Sequence, residues 1–290
     1  MLLRTSSALV AAVAVASLSG CAAGGSTNAP RGAPAVVAAF YPLVFAAEGV
    51  GGTFVHVDNL TAPGVEPHDL ELSADQVRAL SNADLVIYLG GGFQPALEDF
   101  VSGLDATRKL DVLEGLELTG DDDPHVWLDP TIMAGIVQRV AARLTDIDPH
   151  HTTTYERNGS QLARELAGLD ELFAARLARC ATRDIVTSHA AFGYMAERYD
   201  LEQISISGID PEAEPSPGRL AEVARFVRDH DVETIFFEEL VSPDVAETIA
   251  EEAGAETAML SPLESAPASG DYSDAMKANL AALIEALGCE

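Results

Sequence analysis

The chain of 290 residues is 48% hydrophobic and has 17 Lys and Arg residues against 46 Asp and Glu residues, a formal net charge of −29. This length and apolar content can bury a large core, in one large domain or in two of medium size. So acidic a surface repels nucleic acid and anionic lipid head groups and attracts cations, which excludes a nucleic-acid partner. Solubility or adaptation to high salt accounts for the bulk of the charge.

The first 20 residues have the pattern of an export signal. Arg4 precedes an apolar run over residues 8–16, which is too short to span a bilayer as a mature helix. Leu18-Ser19-Gly20-Cys21 resembles a bacterial lipobox, in which cleavage before the cysteine leaves a lipid-bearing N-terminus. We expect a lipid anchor at Cys21, a flexible tether over residues 21–33 and a body outside the cytoplasm, at the cell membrane.

Short apolar runs then alternate with helical patterns, which predicts a parallel sheet with helices on its faces. Strands are predicted at VVAAF, TFVHVDNL, ADLVIYLG and KLDVLEGL. Helices are predicted near Leu43–Val50, after Ser73, which has capping-box spacing to Gln76, and near Gln94–Ser102. We assign these elements, and a helix opened by Asp129-Pro130, to a first α/β lobe at residues 34–147.

Asp148-Pro149 opens a helical pattern that runs from about His151 to Cys180 with Gly159 and Gly168 as its only interruptions. A helix of about thirty residues is roughly 45 Å long. We therefore expect residues 148–180 to form one long rigid helix that links two lobes.

The alternation restarts after this helix and predicts a second α/β lobe at residues 181–290. Its strands are expected at DIVTS, LEQISIS, ETIFF and ETAML. Its helices are expected at Ala190–Tyr199, after Ser216-Pro217, after Ser242-Pro243 and at Tyr272–Leu287. With Cys21 assigned to the anchor, Cys180 and Cys289 are left, and in an oxidising compartment they are expected to form a disulfide.

Three histidines and one glutamate follow predicted strands, where parallel sheets bind their ligands. They are His68, His125, His189 and Glu238. Neutral imidazoles with a carboxylate suit a borderline divalent ion such as Zn²⁺, so the sequence predicts a metal site between the lobes. We interpret the other four histidines, His56, His150, His151 and His230, as structural or solvated.

The stretch DDDPHVWLDP contains the second histidine of this set and the only tryptophan of the chain. We expect Asp121, Asp122 and Asp123 to be solvated, and Trp127 to bury its ring beside the cleft. No HExxH, GxSxG or Walker A motif is present, so an enzyme is not expected. The alternative from another class is a surface metallohydrolase that uses the same ligands with Glu238 as general base. No sequence feature calls for an added adhesin role.

Several motifs resemble those of the zinc- and manganese-binding solute-binding proteins of bacterial ABC importers, and together they span essentially the whole mature chain. They are FYPL, PHDLELS, DPHVWLDP, TSHAAFGYMAERY, IDPEAEPSP and FFEELVSPDVAETIAEEAGA. The resemblance implies a monomer that holds one metal in the interlobe cleft and delivers it to a membrane permease with a cytoplasmic ATPase. It also implies that His68, His125 and His189 are ligands. Histidine at position 189, where manganese-selective members often have an acid, favours zinc over manganese. The alternative within the family is a manganese-preferring binding protein of the same type, which would hold Mn²⁺.

The chain departs from the family pattern in two places. The usual fourth ligand is an aspartate in the loop after the last strand, but Ser261 occupies that position, so Glu238, Glu264 or water must complete the site. The short acidic sequence TGDDD stands where zinc-specific members often have a long histidine-rich loop.

Overall fold

The computed structural model describes residues 32–116, 118 and 123–290. The predicted export signal, Cys21 and nearly all of the predicted tether lie outside this part of the chain. The first sheet contains β1 (Ala35–Ala38), β2 (His56–Asn59), β3 (Leu85–Tyr88) and β4 (Lys109–Asp111). All neighbours in the order β2-β1-β3-β4 are parallel. The first-lobe helices between these strands are α1 (Tyr41–Gly51), α2 (Ala74–Asn82) and α3 (Pro95–Ser102).

Two helices follow the first sheet, α4 (Pro130–Ile147) and α5 (Thr152–Arg176). The Asp129 side chain caps α4 by accepting the backbone N–H of Thr131 at 2.7 Å. A single 3-10 turn, Pro149–His151, separates the two helices. The 25 residues of α5 extend about 37 Å. The predicted long helix is thus confirmed, although it ends at Arg176 and not near Cys180. Its apolar face packs along α4 and α1 and meets the last helix of the chain.

The second sheet contains β5 (Asp184–Thr187), β6 (Glu202–Ser205), β7 (Thr234–Phe237) and β8 (Glu256–Met259). It is also parallel, in the order β6-β5-β7-β8. Its helices are α6 (Gly193–Tyr199), α7 (Pro217–Asp229), α8 (Asp244–Ala253) and α9 (Tyr272–Ala286). The predicted architecture of two α/β lobes is confirmed, whereas the boundaries at residues 147 and 181 stay a prediction.

A continuous apolar core joins the two lobes. It includes Val37 and Ile87 of the first sheet, Ile185 and Phe236 of the second, and Leu283 of α9, all at most 2% exposed. A separate cluster lies under α7 and α8 on the other side of the second sheet. Because the shared core is fully buried, opening the cleft by rotating the lobes would expose apolar surface at a cost.

The predicted disulfide is present between Cys180 and Cys289, which are 109 positions apart in sequence. It ties the C-terminus to the segment after α5, where the backbone N–H of Glu290 also donates to the carbonyl of Arg179 at 3.1 Å. Within the residues that the structure describes, no helix has the length and apolar character to cross a membrane.

Candidate metal centre

Four side chains from loops at the carboxyl ends of strands converge between the lobes. His68 follows β2 and His125 follows β4, whereas His189 follows β5 and Glu264 follows β8. One nitrogen or oxygen atom from each of these side chains lies within 4.8 Å of the others. Since the carboxyl ends of both sheets face this cleft, the parallel topology brings two of these side chains from each lobe.

The spacing of these atoms fits a tetrahedral ion. Oε1 of Glu264 lies 3.3 Å from Nε2 of His125, 3.4 Å from Nε2 of His68 and 3.8 Å from Nε2 of His189. Nε2 of His125 and Nε2 of His189 are 3.3 Å apart. Ligand atoms bound at 2.0–2.2 Å to one tetrahedral Zn²⁺ lie about 3.3–3.6 Å from one another. The four groups therefore need to move little to hold such an ion.

The centre is buried and includes polar atoms without a hydrogen bond. His125, His189 and Glu264 are 0%, 1% and 2% exposed, and the His68 side chain is 11% exposed. Nε2 of His68 and Oε1 of Glu264 have no hydrogen-bond partner within the described residues. Buried polar groups are normally paired, so these inward-facing atoms mark a place where a cation belongs.

Two further carboxylates lie behind the imidazoles. Oδ1 of Asp123 lies 2.6 Å from Nδ1 of His125 and accepts the His125 backbone N–H at 2.9 Å. Oε2 of Glu238 lies 2.5 Å from Nδ1 of His189. A carboxylate on Nδ1 favours the proton there and leaves the Nε2 lone pair free for a metal.

Glu238 was predicted as the fourth ligand, but the structure brings Glu264 to the Nε2 side of the histidines. Glu238 directly follows β7, and its carboxylate lies at Nδ1 of His189, on the other side of the ring. Of the alternatives that the sequence left open, the structure brings Glu264 into the group of four and leaves Glu238 outside it.

The expectation that Asp123 is solvated is wrong. Asp123 is 4% exposed, because it turns inward to the His125 ring. Asp121 and Asp122 lie outside the described residues. The rule that ligands bind at the carboxyl ends of parallel strands, applied to the loop after β8, indicates Glu264. This residue lies three positions beyond Ser261, which occupies the family's usual ligand position. Ser261 instead donates its hydroxyl to Oε1 of Glu239 at 2.5 Å.

Trp127 is buried beside the centre, as expected, and connects the two lobes. It is 1% exposed, and its ring centroid lies 5.1 Å from that of His125. Its indole Nε1–H donates to the carbonyl of Pro262 at 2.7 Å, and its own carbonyl accepts the Tyr272 hydroxyl. The loop that carries His125 is therefore attached directly to the loop that carries Glu264.

The buried charges shift the pKa values of the centre. Burial lowers the pKa of His125, but the adjacent carboxylates of Asp123 and Glu264 outweigh burial and raise it to about 9. Burial raises the pKa of Glu264, but the close imidazoles of His125 and His68 outweigh burial and hold this pKa well below its usual range. Burial and the nearby Glu264 carboxylate raise the pKa of Glu66 to about 8. The carboxylates around the imidazoles thus favour positive charge at the centre.

Three of the remaining histidines pair with acids away from the centre. Nε2 of His56 lies 3.4 Å from Oδ1 of Asp58, and Nδ1 of His230 lies 2.8 Å from Oδ2 of Asp184. Nδ1 of His151 lies 2.6 Å from Oδ2 of Asp148. None of these three histidines belongs to the group of four that converges between the lobes, as the sequence indicated.

Comparison with known proteins finds zinc-uptake and zinc-binding proteins. A family model named ZnuA and described as zinc-uptake complex component A, periplasmic, matches residues 36–286. The chain is 32% identical over 277 residues to the high-affinity zinc uptake system protein ZnuA of Bacillus subtilis, with 87% of each sequence covered. It is 34% identical over 273 residues to the zinc-binding lipoprotein AdcA of Streptococcus pneumoniae, and it spans 54% of that longer protein.

Solved structures agree with this comparison. The laminin-binding protein Lmb of Streptococcus agalactiae, described as bifunctional with adhesin and metal-transporting activity, matches with a TM-score of 0.83 at 33% identity. The match covers 88% of this chain and 99% of that one. The Zn(II)-bound ZnuA-like domain of Streptococcus pneumoniae AdcA matches with a TM-score of 0.78, at the same identity and coverage. The resemblance noted in the sequence is confirmed, and the chain belongs to the ZnuA family of periplasmic zinc-uptake components.

Proposed function

We propose that the protein captures Zn²⁺ outside the cytoplasm and delivers it to the permease of an ABC importer with a cytoplasmic ATPase. The observation that carries this proposal is the convergence of His68, His125, His189 and Glu264 around a point where one ion fits. Two relatives are named for zinc uptake and zinc binding, and a similar structure holds Zn(II). Because the chain spans about half of AdcA, the comparison with that protein concerns its ZnuA-like part.

The proposed ligand set favours zinc over manganese. Three imidazole nitrogens and one carboxylate oxygen suit a borderline ion in a four-coordinate shell, whereas Mn²⁺ prefers oxygen-rich, higher-coordinate sites. His189, which is 1% exposed, supplies the third nitrogen.

Burial supports capture rather than hydrolysis. A metallohydrolase needs an open coordination position for water and a path for its substrate. Here four protein groups surround the centre, three of them at most 2% exposed, and the Glu238 carboxylate lies 2.5 Å from Nδ1 of His189 instead of facing a reacting water. Release of the ion to a partner then requires a displacement of the ligand loops.

The test is metal binding by the mature protein after removal of bound metal with a chelator. We expect one Zn²⁺ per chain and displacement of Mn²⁺ by Zn²⁺ in direct competition. His125→Ala and Glu264→Ala should each weaken zinc binding by at least about a hundredfold, because each removes one ligand. His230→Ala removes an imidazole from the surface and should leave binding unchanged. Unchanged zinc affinity in both site variants would overturn the proposal.

We also propose that the mature protein is a monomer anchored to the membrane through a lipid on Cys21. The anchor keeps the protein near its permease, while the lobes carry the metal site. Cys21→Ser should release the protein from membranes into the soluble extracytoplasmic fraction and leave the zinc affinity of the purified protein unchanged. Membrane retention of this variant would contradict the anchor.

A further inference from the structure

The two loops of the first lobe that carry His68 and His125 share an acid-Pro-His sequence. Glu66-Pro67-His68 and Asp123-Pro124-His125 each place an acid two residues before a proposed ligand. In both, the acid accepts a hydrogen bond from the backbone N–H of the histidine, at 3.2 Å from Oε1 of Glu66 and at 2.9 Å from Oδ1 of Asp123. The same local hydrogen bond therefore fixes the backbone of both histidines.

The two acid-Pro-His sequences differ in whether the acid contacts the imidazole ring. Oδ1 of Asp123 also contacts Nδ1 of His125 at 2.6 Å. Oε2 of Glu66, by contrast, is buried and has no hydrogen-bond partner within the described part of the chain. A buried carboxylate oxygen without a partner is costly, and in native structures such an atom usually has a role.

The surroundings of His68 already fix its backbone and one face of its ring. Nε2 of Gln94, which is fully buried, donates to the carbonyl of Pro67 at 3.0 Å. The Phe93 ring packs edge-on against the His68 ring, with centroids 4.5 Å apart. Of the three imidazoles at the centre, His125 and His189 each have a carboxylate within 4.0 Å of Nδ1. Within the described residues, the carboxylate within that distance of the His68 ring is Glu264, and it lies at Nε2.

We propose that Glu66 is the positioning residue for His68 and that its free oxygen accepts the Nδ1–H of His68 when zinc is bound. This inference rests on the proposed function, because it concerns the orientation of one zinc ligand. Each of the three imidazoles then has its own carboxylate behind it, namely Glu66, Asp123 and Glu238. Such partners fix the tautomer and the ring orientation of a metal-bound histidine, and their loss typically lowers metal affinity by about 10- to 100-fold.

The test compares zinc affinity in three single variants of the mature protein, Glu66→Gln, Glu66→Asp and Glu71→Gln. Glu66→Gln should lower the affinity about tenfold or more while the protein still binds one Zn²⁺. Glu66→Asp should retain affinity close to the original, because it reproduces the Asp-Pro-His sequence of the second loop. Glu71→Gln removes an exposed carboxylate from the same loop and should have no effect.

A second measurement separates positioning from a general effect of charge or folding. In nitrogen-15 NMR spectra of the zinc-loaded protein, His68 should carry its proton on Nδ1, with a proton shift that marks a bond to a carboxylate. Glu66→Gln should move this signal and leave those of His125 and His189 in place. An unmoved His68 signal, or an affinity equal to that of Glu71→Gln, would overturn the proposal. Failure of the unaltered protein to bind zinc would overturn the proposed function itself.

Discussion

Nδ1 of His189 lies 2.5 Å from Oε2 of Glu238, while Nε2 of the same ring lies 3.3 Å from Nε2 of His125. The other carboxylate oxygen of Glu238 accepts the His189 backbone N–H at 3.2 Å. One side chain at the end of β7 therefore orients both the backbone and the ring of a residue at the end of β5. Since the two strands are neighbours in the second sheet, their pairing sets this contact.

Glu238→Gln should weaken zinc binding by about 10- to 100-fold without changing the stoichiometry. The neutral amide is a poorer acceptor for Nδ1–H, so the ring is oriented less strictly and its Nε2 is a weaker donor to the metal. Competition with a chromophoric chelator would measure the affinity. The matched control is Glu233→Gln, which removes an exposed carboxylate just before the other end of β7 and should bind zinc like the original. Equal affinities in the two variants would contradict this role.

Zinc affinity should rise as the pH increases toward about 9. In the protein without zinc, burial lowers the pKa of His125 but the bonds to Asp123 and Glu264 raise it to about 9, so this ring is protonated at pH 7. Metal binding requires the neutral imidazole and must release that proton, which makes the affinity grow by about tenfold per pH unit below the pKa.

Calorimetry in two buffers with different heats of ionisation would count the protons released at pH 7. We expect about one proton or more per zinc ion, and fewer above pH 9. An affinity that is the same at pH 6.5 and pH 8.5 would show that His125 is neutral before the metal binds.

The fold could be predicted almost entirely from local patterns. The apolar runs and the caps place all eight strands and all nine α-helices of the described residues, and several helix starts carry a signal of their own, such as the Ser73–Gln76 capping box. The main difference between the prediction and the structure is the length of the strands. KLDVLEGL was predicted as one strand, but β4 ends at Asp111, whose side chain accepts the backbone N–H groups of Leu113 and Gly90 and turns the chain.

The site was predicted in part, because strand ends can be located from sequence but side-chain directions cannot. His68, His125 and His189 converge as expected. Asp123 and Glu238 are at the correct loops, yet their contacts with the far nitrogens of two imidazoles follow from the turn between Asp123 and His125 and from the pairing of β5 with β7. Glu264 was one of three alternatives, and its entry into the centre depends on the path of the loop around Leu263, which has a left-handed φ of 57°.

Trp127→Phe should lower both stability and zinc affinity. It removes the indole donor of the 2.7 Å hydrogen bond to the Pro262 carbonyl, two residues before Glu264. Leaving that buried carbonyl without a partner costs about 1–3 kcal/mol, and the Glu264 loop loses its attachment to the His125 loop. Thermal unfolding and zinc dissociation rates would measure the two effects, and we expect dissociation to be several-fold faster.

Tyr155→Phe provides the comparison for Trp127→Phe. It also removes one hydrogen bond of a buried aromatic side chain, here 2.7 Å from the hydroxyl to Oδ2 of Asp148, but far from the cleft. This variant should be less stable and release zinc at the original rate. Equal zinc dissociation rates in the two variants would argue against a connection through Trp127.

Gly159→Ala and Gly168→Ala should change the free energy of unfolding in opposite directions although both lie in α5. A Cβ atom at Gly159 would be 2.8 Å from Cβ of Ala141 in α4, which is closer than two methyl groups can approach, so the helices must separate. Nothing lies within 4 Å of a Cβ atom at Gly168. Alanine there lowers the conformational entropy of the unfolded chain and should stabilise the protein by about 0.5–1 kcal/mol. Overpacking at Gly159 should cost about 1–3 kcal/mol, and denaturant unfolding would measure both. Stabilisation by both substitutions would mean that α4 and α5 are not in close contact at Gly159.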